Sequence, residues 1–176
     1  MRRLLVPLLL LAAALPATAL SGRAPAPPDA TLAVRDGRGQ ATIVIKGSLI
    51  GRFANGTLKV EDLEPDAGSD PVVRGYKTVK WGRGIAPTYS GKNVRFRLIG
   101  GRFRVTFNGK GLNFSLVGRG KVYLNGNGSV DDGVFYDGFY SVNGAEEESL
   151  PDDGQWIILP PASTPPPPQS SGPTTG

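Results

Sequence analysis

Asn93-Val-Arg-Phe-Arg-Leu-Ile-Gly-Gly-Arg-Phe-Arg-Val-Thr-Phe-Asn-Gly-Lys-Gly-Leu-Asn-Phe-Ser-Leu-Val-Gly-Arg-Gly-Lys-Val-Tyr-Leu-Asn125 decides the fold class. Apolar and polar residues alternate through it, which is the period-two pattern of strands with one face buried. With Gly100-Gly101 as a two-residue hairpin turn, Leu98 faces Phe103, Phe96 faces Val105 and Val94 faces Phe107. Asn108-Gly109 supplies the next turn and Gly118-Arg119-Gly120 a third, bringing Leu112, Phe114, Leu116, Val122 and Leu124 to the same side. The expectation is a four-stranded meander with one apolar face.

That pairing sets Arg97 opposite Arg104, and like charges directly opposite one another destabilise a strand pair. Arg95, Arg97, Arg102 and Arg104, with the neighbouring Arg119 and Lys121, therefore form a candidate anion-binding face, because guanidinium groups suit phosphate and carboxylate. The bland alternative stays open: the side chains splay into water, or acids of the same chain cover them. Charge is segregated along the sequence. Residues 71–130 hold 12 Lys or Arg and no acid, whereas residues 122–176 hold 8 acids and no Lys or Arg, within a net charge of +5.

Outward from this stretch, Ala41-Thr-Ile-Val-Ile-Lys46 reads as a central strand, Asn55-Gly56 as a hairpin turn, and Thr57–Asp62 as another alternating strand. Residues 72–80, 134–142 (turning at Asp137-Gly138) and 156–159 complete the strand set. Structure should begin near Thr31. Leu49-Ile-Gly-Arg-Phe53 recurs as Leu98-Ile-Gly-Gly-Arg-Phe103, a hint of duplicated hairpins. Trp81, among Lys77, Lys80 and Arg83, is expected in the core, with an exposed stacking platform as the other reading. The fold class is all-β: an antiparallel β-sandwich with a central β-meander, with a β-roll or solenoid as the alternative because glycines recur about every nine residues.

Residues 1–19 have the basic start, short apolar run and Ala17-Thr-Ala19 site of a secretory signal peptide, so a secreted or periplasmic, cell-envelope location is expected. Residues 20–30 form a flexible lead-in, 31–159 one domain, and 160–176 a Pro-rich tail, disordered or polyproline II. The sequons at Asn55, Asn113 and Asn127 matter only in a eukaryotic secretory pathway.

With no Cys and no His, disulfides, thiolate chemistry and imidazole-based catalysis are excluded, and no pattern marks paired catalytic carboxylates. We expect no enzyme activity and no cofactor. Asp62, Glu64, Asp66 and Asp70 offer oxygen ligands for calcium, but the spacing misses the EF-hand loop, so a solvated acidic turn is expected there. The expected partner is an anionic envelope polymer, polysaccharide or acidic lipid surface; nucleic acid does not suit a secreted protein. A structural or protein-binding domain is the alternative from another class.

Overall fold

The computed structural model describes residues 29–66, 68–81, 86–128, 130–131, 134–135 and 137–159. The expected signal segment and Pro-rich tail lie outside them, as does most of the lead-in. The described chain is all β, in nine strands: β1 (Ala30–Asp62), β2 (Ser69–Trp81), β3 (Pro87–Ile99), β4 (Arg102–Asn125), β5 (Val130–Asp131), β6 (Val134–Phe135), β7 (Phe139–Val142), β8 (Glu148–Ser149) and β9 (Gln155–Leu159). One antiparallel sheet runs β2-β3-β1-β4-β9, with β7 against β1 and β8 against β7; β5 and β6 form a separate ribbon.

The alternation read from the sequence assigns the inner face correctly. Val94, Phe96, Leu98, Phe103, Val105, Phe107, Leu112, Phe114, Leu116, Val122 and Leu124 are all buried, joined by Leu32, Ile43, Ile45, Leu49, Phe53, Leu58 and Val60 from β1. The pairing is another matter. β3 and β4 are consecutive, yet each pairs with β1 rather than with the other: Leu98 lies opposite Leu49, while Phe103 lies opposite Ile45 and Asp62. Gly100-Gly101 is a link seated on β1, where the Ser48 hydroxyl accepts the Gly100 N–H at 3.1 Å and the Gly101 carbonyl accepts the Gly47 N–H at 2.9 Å. Arg97 is accordingly opposite Ile50 and Val72, and Arg104 opposite Val44 and Glu61, so the expected Arg97–Arg104 pair does not form.

The two longest strands meet twice. Ile43 has Val105 on one side and Val122, 17 residues further along β4, on the other; Val105 in turn lies between Ile43 and Val60, again 17 apart. β1 and β4 thus line each other on both edges, in an antiparallel sheet that bends round one core, and the expected all-β, antiparallel class holds. Gly101-Arg-Phe-Arg-Val-Thr-Phe-Asn-Gly109 and Gly118-Arg-Gly-Lys-Val-Tyr-Leu-Asn-Gly126 show the same 17-residue offset in sequence. Of the two similar segments 49–53 and 98–103, only Leu49 and Leu98 lie opposite one another: residues 50–53 face residues 94–97, and Phe103 faces Ile45 and Asp62.

Glycine makes the coiling sterically feasible. Asn55-Gly56, Asn108-Gly109 and Gly118-Arg119-Gly120, expected as turns, lie inside continuous strands. Gly109 sits between Gly39 and Gly56, and Gly118 between Ala30 and Gly47, in rows where backbones approach too closely for a side chain. A Cβ on Gly56 would stand 2.4 Å from the Asn108 carbonyl oxygen, and one on Gly109 would stand 2.2 Å from that of Asn55. The expected 134–142 hairpin is also replaced, because β6 pairs with β5 whereas β7 pairs with β1 and β8. Strand starts near residue 31 and strands over 72–80 and 156–159 are as expected.

Where β7 meets β8, Tyr140 is buried and its hydroxyl donates to Glu148 at 2.5 Å. Burial, then the hydrogen bond and charge of Glu148, push this phenol up to about 12. An unfolded tyrosine releases its proton near pH ~10, so the stabilisation is fully present below that pH and is lost as pH rises toward 12. Tyr140→Phe should therefore show a flatter fall in stability than the parent between these limits, read from urea unfolding at pH 9 and 11.

Candidate anion-binding face

Coiling sorts the outward side chains into two basic groups, and the six predicted residues are divided between them. Arg102, Arg104, Arg119 and Lys121 surround Lys46, which lies opposite both Arg102 and Arg119. Acids of the same chain answer much of this group: Arg104 binds Glu61 at 2.9 Å, Arg119 binds Asp29 at 2.9 Å and Lys46 approaches Glu64 at 3.5 Å. Lys121 places its ammonium 4.6 Å from the centre of the Trp156 ring, which also packs on Tyr123. Here the bland expectation of internal neutralisation describes most of what is seen.

Arg95 and Arg97 fall elsewhere. Arg95 of β3 lies directly opposite Arg52 of β1 on one side and Arg74 of β2 on the other, so three arginines stand in one row across three strands. Strand spacing of about 5 Å puts the outer two roughly 10 Å apart at the backbone. Arg97 is two residues along the same outward face, between the exposed Ile50 and Val72. Among the described residues no carboxylate comes within ion-pairing distance of Arg52, Arg74, Arg95 or Arg97. These four arginines, with Ile50, Gly51, Val72 and Phe96, line a shallow groove of about 540 Å³.

Gly51 lets that wall form. It is opposite Phe96, and a Cβ there would stand 2.5 Å from the tip of the Phe96 ring, so the phenyl group fills the space beside a strand that would otherwise be pushed away. An adjoining cleft of about 290 Å³ is lined by Arg52, Arg95, Asn93, Asn113 and Asp36. The Asp36 carboxylate accepts the Asn113 side-chain N–H at 3.1 Å rather than closing on either arginine.

Arg52 and Arg74 are not singled out by the sequence. They come from segments whose proximity to Arg95 depends on non-local pairing, and their only sequence signal is the spacing of isolated arginines on exposed strand positions. In the acidic turn the Asp62 carboxylate accepts the Glu64 N–H at 3.0 Å and Glu64 turns to Lys46. Asp66 and Asp70 are exposed, and no metal-ligating group of three acids forms among the described residues. Trp81, expected in the core, is 67% exposed.

Compared with protein-family models, curated proteins and solved structures, the chain matches none. What fold and surface define together is an antiparallel all-β protein that displays a row of three arginines with no ion-pairing carboxylate among the described residues.

Proposed function

We propose that this protein is a secreted or cell-envelope interaction domain that binds an anionic polymer or surface through Arg52, Arg74, Arg95 and Arg97. The supporting observation is the row Arg52–Arg95–Arg74, in which directly opposite like charges disfavour the sheet and no described carboxylate offsets them. A phosphate, sulfate or carboxylate group above the row would take paired, charge-assisted hydrogen bonds from two guanidinium groups at once. The location rests on the signal-like residues 1–19.

Removing the central member should separate binding from stability. Arg95→Ala is expected to weaken binding to an anionic polysaccharide or polyphosphate about tenfold or more, since a hydrogen bond to a charged group contributes about 1.5–3 kcal/mol. The same change removes two like-charge contacts, so urea unfolding should show equal or slightly higher stability. Binding should also weaken steeply between low and physiological salt, because screening acts over about 10 Å. An absence of polyanion and acidic-vesicle binding at low salt would overturn the proposal.

The second reading, a protein-binding domain, draws on β9. Among the described residues this uncharged strand pairs with β4 alone, and it exposes Trp156 and Ile158, features suited to strand addition by another chain. A partner held there would stay bound at high salt.

A further inference from the structure

We infer that the arginine groove docks on the headgroup layer of an acidic lipid bilayer; this rests on the anion-binding reading above and names its partner. The reason is what stands beside the charges. Next to the row Arg52–Arg95–Arg74 runs a second outward row, Ile50–Arg97–Val72, two residues along each strand and so about 7 Å away. Ile50 is 52% exposed and Val72 42%. On the other side of Ile50 lies Ser115 of β4, and Val117, two residues further along that strand, is 45% exposed. Val117 is opposite Ser48, which shares the outward face of Ile50, so Val72, Ile50 and Val117 form one aliphatic strip alongside the guanidinium row.

A single exposed aliphatic side chain is ordinary on a protein surface; three together, beside four arginines that no described carboxylate pairs, ask for a partner with both characters. A hydrated polyphosphate or acidic polysaccharide answers the arginines and leaves the strip in water. A bilayer of acidic lipids answers both: its phosphates accept from the guanidinium groups, while the aliphatic side chains enter the boundary between headgroups and acyl chains. The arginine stems are themselves apolar and let the charged ends stay at the phosphates as the strands approach. Binding at a membrane surface grows with buried apolar area and with attraction to anionic lipid, and this face supplies the two side by side. The groove between them is shallow, as a docking surface for a membrane needs to be, and the outer position of β2 leaves Val72 and Arg74 open to approach.

The test uses the full chain, which has no cysteine, so that Ser115→Cys carries a single environment-sensitive fluorophore on the strip and Lys59→Cys carries one at an exposed position further along β1. Each is titrated with phosphatidylcholine vesicles containing about one-third phosphatidylglycerol, with vesicles of phosphatidylcholine alone, and with polyphosphate. Acidic vesicles should move the emission of the Ser115 label to shorter wavelength and leave the Lys59 label unchanged; neutral vesicles should move neither. A label on this face reports contact there, whatever residues 1–19 do at a vesicle.

Ile50→Ser combined with Val72→Ser should weaken acidic-vesicle binding about tenfold, through the lost burial of two aliphatic side chains, and polyphosphate binding, followed by calorimetry, far less. Arg95→Ala should weaken both. A Ser115 label that acidic vesicles do not shift, or a serine pair that affects vesicles and polyphosphate equally, would overturn the lipid assignment, and polyphosphate binding would then leave the anion-binding reading standing. Binding of neither probe would overturn the two together.

Discussion

Gly47→Ala is expected to destabilise this protein by about 4 kcal/mol or more, enough to unfold many domains of this size. The reason is the second meeting of β1 with β4. Gly47 lies opposite Gly118, and an added Cβ would stand 2.2 Å from the Val117 carbonyl oxygen and 2.7 Å from the Gly118 Cα. Both obstacles are backbone, so no side-chain rotation relieves the clash; the strands must separate, and ladder hydrogen bonds on either side are lost with them. Gly144→Ala is the matched control. That glycine has a φ of 71°, but an added Cβ would meet nothing within 4 Å, so the change carries only the left-handed strain of about 1–2 kcal/mol. Urea unfolding of the two variants beside the parent checks the difference. Equal losses would mean that close approach at Gly47 does not hold β1 and β4 together.

Phe107→Ala is the second large effect, expected at about 3–5 kcal/mol. Phe107 is 1% exposed and occupies the middle of the coil, with Ala41 opposite it on one side and Leu58 on the other. Its ring tilts at 53° against that of Phe53, centres 5.2 Å apart, so truncation opens a void flanked by both passes of β1 and removes an aromatic contact of about 0.5–1.5 kcal/mol. A double-mutant cycle with Phe53→Leu should return coupling of that size. Additive losses would show that the two rings do not stabilise one another beyond their burial. Surface changes such as Arg95→Ala should be near neutral by the same assay, which makes the contrast between face and core directly measurable.

The inner face is legible because burial alternates with a period of two wherever the backbone is extended, whatever strand lies alongside. Leu98 and Phe103 are buried in the pairing read from local turns and equally in the one observed. Partners are not legible, and Asn55-Gly56 and Asn108-Gly109 show why. A glycine is needed both where a chain reverses and where two backbones touch, and a local sequence does not distinguish the two demands. Reading them as turns builds hairpins out of what are continuous strands. The same ambiguity misplaces the arginines: Arg95 and Arg97 are recognisable as exposed strand residues, but their true neighbours, Arg52 and Arg74, come from segments about 43 and 21 residues away in sequence. Trp81 escapes for a related reason. Its position marks it for the core side of its strand, yet whether a second layer covers that side depends on β2 being the last strand of the sheet.

By itself, then, the sequence determined an all-β chain, the set of residues that turn inward, and the absence of thiol and imidazole chemistry, because each follows from residue type and local alternation. Tertiary structure alone decided that β1 and β4 pair twice, 17 residues out of step, that Arg52, Arg95 and Arg74 form one row, and that Trp81 stands in the open. Those outcomes depend on register between segments distant in the chain, which is set by how one closed core can be filled and by where glycine lets two backbones meet.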